Sequence, residues 1–127
     1  MSGDVASMDL AGAIDVIEET YEYMLAYAAQ GRVNDTDTSG GSIRDYLERS
    51  ERALGVIASA ELSDAAAQKF LEVMQQDAAR AGAAIRLVLA RPAITSQLID
   101  NLNASVHLRT LLTDIFLLDE TLGITPS

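Results

Sequence analysis

The chain has 127 residues, no cysteine and one histidine, with 9 basic against 19 acidic side chains and a formal charge of −10 at pH 7. That length suits a single domain able to bury roughly two-thirds of the surface its unfolded form exposes, and the missing thiols exclude disulfides, thiolate nucleophiles, iron–sulfur clusters and cysteine-held zinc. The charge repels phosphate backbones, so nucleic acid is not an expected partner, and a charged partner is expected to be basic.

Apolar residues recur every three or four positions almost throughout, which is the helical period and predicts an all-α domain. A first helix over about 8–30 aligns Leu10, Ile14, Ile17, Tyr21, Met24 and Ala28, with Ser7 as its N-cap and Gly31 past its end. Beside that stripe run Val16, Thr20, Tyr23 and Tyr27, bordering an acidic ridge of Asp15, Glu18, Glu19 and Glu22. Tyrosine buries much area while keeping a polar tip, so Tyr23 and Tyr27 are candidate interface residues.

The polar stretch 32–41 reads as a flexible loop. Its string "DTDTSGG" opens like a calcium loop at Asp35, Asp37, Ser39 and Gly40, but the position that should hold a bidentate Glu is Tyr46. A solvated linker is the better account. A second helix over about 42–59 carries Ile43, Tyr46, Leu47, Ala53, Leu54 and Ile57 on one face. On the other, Arg44–Glu48, Asp45–Arg49 and Glu48–Arg52 are spaced for ion pairs of ~0.3 kcal/mol each.

Ser63 caps a third helix over about 64–90, in which Ala78, Ala81 and Gly82 permit a close neighbour. Pro92 breaks the chain, and a fourth helix is expected over about 95–122, closed by Gly123. The short connections favour an antiparallel four-helix bundle, up-down-up-down.

The fourth helix holds the chain's only histidine. At 100° per residue, His107 falls on a polar stripe with Ser96, Asp100, Asn103, Thr110, Asp114 and Thr121, and the rest of the helix is apolar over a wide arc. One bundle core does not need so much apolar surface. Leu108, Arg109, Leu111, Ile115, Leu118 and Leu122 are therefore candidate interface residues, and a homodimer or higher oligomer is expected.

Catalytic and cofactor chemistry find little footing. A di-iron bundle needs at least two histidines, a haem on Met24 and His107 would need a histidine on the apolar side, and Asp100 and Asp114 are ~10 Å along the helix from His107. No metal or cofactor is expected. No apolar run approaches the ~18 residues of a membrane span, and the first basic residue is Arg32, so neither a membrane anchor nor a charged leader is expected. The expectation is a non-enzymatic, cytoplasmic interaction protein, an adaptor, chaperone or regulatory subunit. The alternative is a bundle holding a small apolar ligand or cofactor among Met24, Phe70, Met74 and Phe116.

Overall fold

The computed structural model describes residues 8–35 and 42–123, and it is all-helical. Five helices follow one another: α1 (Leu10–Ala28), α2 (Ile43–Ala58), α3 (Ala65–Leu89), α4 (Ser96–Ala104) and α5 (Val106–Leu122). Four were expected. The difference lies at Ser105, whose backbone leaves the helix (φ −65°, ψ 139°) and whose hydroxyl accepts the Leu108 N–H at 3.3 Å. Ser105 ends α4 and caps α5, so the expected helix over 95–122 is two helices.

The other starts also follow from capping, because the first N–H groups of a helix have no partner within it. Asp9 caps α1, accepting from Gly12, and the expected cap Ser7 lies outside the described residues; Ser42 caps α2, Asp64 rather than Ser63 caps α3, and Thr95 caps α4. The α1 helix stops two residues before its expected end, and Gly31 takes the left-handed turn that follows (φ +66°). At the other end of the chain, Gly123 closes α5 in the same conformation (φ +62°).

A single core runs through the domain, with Ile14, Met24, Leu47, Ile57, Leu71, Met74, Ile99, Leu111 and Ile115 almost fully enclosed. The small residues Ala78, Ala81 and Gly82 are buried on α3, and a methyl at Gly82 would lie 3.5 Å from a Leu54 methyl of α2. That is the close approach their size anticipates.

One end of the domain is tied by polar contacts. Ser96, buried at the start of α4, donates to the Tyr27 carbonyl at the end of α1 (2.7 Å) and accepts from the Arg32 N–H (2.8 Å). Arg44, in the first turn of α2, reaches the end of α3, donating to the carbonyls of Leu89, its last residue (2.9 Å), and of Arg91 just beyond it (2.7 Å). A cation at a helix C-terminus satisfies orphan carbonyls and opposes the helix dipole. At the far end, the neutral Gln75 amide donates to the carbonyls of Ile57 in the last turn of α2 (3.0 Å) and of Ala60 just beyond it (3.1 Å).

The expected ion pairs along α2 do not form. Arg44 is drawn to Asp35, and Arg49 lies 3.8 Å from Glu19 of α1, because contacts between elements compete with the weak pairs available within one helix.

Candidate functional site

The break at Ser105 settles how the apolar surface of the last two helices is shared out. Ile99 and Leu102 of α4, and Leu108, Leu111, Leu112, Ile115 and Leu118 of α5, all face the core. Four candidate interface residues, Leu108, Leu111, Ile115 and Leu118, are thus packed inside the chain rather than presented outside it. Arg109 and Leu122 are exposed. Three further apolar side chains stand outside on α5: Val106, Phe116 (51% exposed) and Leu117 (55% exposed).

Phe116 and Leu117 edge an outer face completed by Arg109, Thr113 and Glu120, all exposed. The Thr113 hydroxyl donates back to the Arg109 carbonyl at 2.9 Å. On its α3 side this face drops into a groove of about 240 Å³ lined by Ala66, Ala67 and Phe70 of α3 and by Leu117, Leu118, Thr121 and Leu122 of α5. An apolar groove beside two half-exposed apolar residues makes a continuous greasy surface between α3 and α5.

The tyrosine face of α1 has a different fate, since α2 covers it. Tyr27 is buried, and its hydroxyl donates to the Ile94 carbonyl at 2.6 Å. Val16 and Thr20 are buried too, and Tyr23 is half-buried with its ring stacked on Tyr46 at 4.1 Å between centroids. Tyr27 is therefore a structural hydrogen-bond donor, and Tyr23 belongs to the α1–α2 packing.

Behind the outer face lies a pair of carboxyl groups. Asp114 of α5 is 8% exposed, one of its oxygens has no hydrogen-bond partner, and it faces Asp77 of α3. Burial, together with the hydrogen bond and charge of Asp77, pushes its carboxyl up to about 7. Asp77 is anchored by Arg80 at 3.1 Å. On the helical wheel Asp114 falls with a polar stripe, whereas its spacing of three and four from Leu111 and Leu118 puts it in the buried arc.

The polar stripe itself does not hold as a unit, because burial differs along it even within one helix, according to which neighbouring element each turn packs against. Ser96 is buried at the α1–α4 contact, the Asn103 amide is enclosed without a partner, Asp114 faces α3, and His107 is exposed. The acidic ridge of α1 remains outside. Partial burial, then the nearby charges of Asp119, Asp15 and Glu22, raise the Glu18 carboxyl above its usual range.

Asp35, the described residue of the calcium-like string, has both oxygens engaged, one by Arg44 Nε (2.6 Å) and one by the Ile94 N–H (2.9 Å). Burial opposes its charge, but those hydrogen bonds and the guanidinium prevail and hold the carboxyl below its usual range. Asp37, Ser39 and Gly40 lie outside the described residues. Among the described residues no three histidine, aspartate or glutamate side chains are grouped to hold a metal ion.

The four residues considered for a ligand pocket are dispersed. Met24 and Met74 are enclosed, Phe70 lines the α3–α5 groove, and Phe116 is on the outer face. The internal space beside Met24, also bordered by Thr20, Ser50, Ile85 and Leu111, is about 10 Å³, room for no more than a water.

The described residues thus form an all-helical fold with an apolar outer face on α5 and no group of metal-ligating side chains among them. Compared with protein-family models, with curated proteins and with solved structures, the chain matches none. No helix among the described residues is long and apolar enough to cross a membrane.

Proposed function

We propose that this chain is a non-enzymatic interaction protein, an adaptor, chaperone or regulatory subunit of the cytoplasm, that binds a protein partner through the outer face of α5 and its groove with α3. In this reading the five helices act as an up-down-up-down bundle whose fourth member is split at Ser105. The observation that carries it is the pair Phe116 and Leu117: two consecutive large apolar side chains are half exposed on a helix whose opposite face is already full. Leaving both in water forgoes ~25 cal/mol for every Å² of apolar area, which a partner would recover by covering them.

The test is affinity capture from native cells with the wild-type chain and with the Phe116→Asp/Leu117→Asp variant, with circular dichroism verifying that both are folded. A partner retained by the wild type and lost by the folded variant supports the reading. Equal capture by both sinks it.

The groove also favours a second reading, in which it holds a small apolar ligand between Phe70, Leu118 and Leu122. At about 240 Å³ it lies just under the ~300–1,000 Å³ of ordinary ligand pockets. Native mass spectrometry of the purified protein separates the two readings: a retained small molecule would favour the ligand.

A further inference from the structure

We infer that the outer face of α5 pairs with the same face of a second copy of this chain, the two helices running antiparallel across a two-fold axis. The inference rests on the reading of α5 as an interaction surface and names its occupant.

The exposed positions 109, 113, 116 and 120 are spaced four, three and four, which is the seam of one helix packing lengthwise on another. A two-fold axis crossing α5 between Asp114 and Ile115 exchanges position 109 with 120 and 113 with 116, because each pair is symmetric about that point. The residues at those positions complement one another. Arg109 meets Glu120 of the other copy, twice, and the large Phe116 ring meets the small Thr113, twice. Further out, Val106 meets the turn at Gly123, where no side chain obstructs it.

Among the described residues Arg109 and Glu120 form no ion pair with each other or with another side chain. Thr113 turns its hydroxyl back to its own helix at 2.9 Å, leaving its methyl for the facing ring.

Charge also favours this face over that of α1. A chain of net charge −10 repels its copy. The exposed side of α1 carries Asp15, Glu19 and Glu22 without a basic residue of its own, whereas the outer face of α5 carries one cation and one anion. Two copies can approach on α5 without stacking like charges. The strip is about 25 Å long by helix rise and one helix wide, less than the roughly 800 Å² per partner of a standard interface, so the association is reversible and concentration-dependent.

The experiment is sedimentation velocity on the full chain over a roughly hundredfold range of concentration, with Arg109→Glu, Glu120→Arg and the double exchange. The expected result is a dimer at high concentration, a dissociation constant raised about tenfold or more by each single reversal, and recovery to within about threefold of wild type in the double exchange. Phe116→Asp is expected to be monomeric with unchanged helicity.

A wild-type monomer at every concentration overturns the inference, as does a dimer indifferent to both reversals or one that the double exchange does not restore. Failure here is distinguishable from failure of the broader reading. A monomer that still captures a partner, and loses it on Phe116→Asp/Leu117→Asp, removes only the second copy. A monomer whose capture is untouched removes both.

Discussion

Arg44 and Asp35 form a polar contact that reaches three elements: the guanidinium donates to the carboxylate at 2.6 Å while its other nitrogens hold the carbonyls of Leu89 and Arg91 at the end of α3. The second carboxylate oxygen takes the Ile94 N–H at 2.9 Å, so one acid ties together the α1–α2 connection, α2 and the α3–α4 connection.

Removing the cation leaves the carboxylate and two helix-end carbonyls without their partner. Arg44→Ala is expected to lower unfolding stability by about 2–3 kcal/mol, read from urea denaturation. The Asp35 carboxyl is held below its unfolded value, so its contribution is present above about pH 4 and is lost as pH falls through the folded value. Asp35→Asn should therefore flatten the acid limb of the stability curve, and an unchanged acid limb would refute the assignment.

Asp114 works in the opposite sense. Its folded value, about 7, lies above that of the unfolded chain, so the folded state binds the proton more tightly. That stabilisation is full below about pH 4 and disappears as pH rises through 7. Asp114→Asn is expected to stabilise the domain at pH 8 by something on the order of 2 kcal/mol, and to remove the slope between pH 4 and 7. A variant less stable than wild type at pH 8 would show that the ionised carboxylate is better accommodated than its burial suggests.

Core and surface leucines of α5 should separate cleanly. Leu111→Ala and Ile115→Ala, at positions with no exposure, are expected to cost about 2–5 kcal/mol each in thermal or urea unfolding. Phe116→Ala and Leu117→Ala are expected to fall within about 1 kcal/mol of wild type in the monomer, because more than half of each side chain is already in water. The reverse ranking would mean that α5 is rotated from the orientation described.

At the break between α4 and α5, one hydroxyl caps the new helix. Ser105→Ala removes the acceptor for the Leu108 N–H and is expected to cost about 1 kcal/mol. Amide hydrogen exchange at Leu108 should accelerate while that at Leu118 follows only the global change; equal acceleration at both would argue against a local cap.

Most of the helices were legible in the chain because their determinants are local. Three- and four-residue apolar spacing, a Ser, Thr or Asp at each start and a Gly after α1 and α5 place four of the helix beginnings to within about two residues. Ser105 carried the same N-cap chemistry inside an apolar stretch, but the residues around it also favour a continuous helix. Packing of α4 on α1 and of α5 on α3 decided against continuity.

The candidate surface was legible only in outline. The excess of apolar residues after Thr95 was plain from their arc, yet which of them remain outside depends on how far α5 is turned at the break. Hence Leu108, Leu111, Ile115 and Leu118 are core, and Val106, Phe116 and Leu117 are surface.

By itself, then, the chain determined its helical class, most of its helix starts, its acidity and the absence of thiol chemistry, since these follow from composition and from interactions within a few residues. Tertiary structure alone decided that Arg44 serves Asp35 and the end of α3 rather than Glu48, that Asp77 and Asp114 meet, and that Tyr27 is enclosed. Such contacts join residues far apart in sequence, and no local propensity encodes which distant partner a side chain will meet.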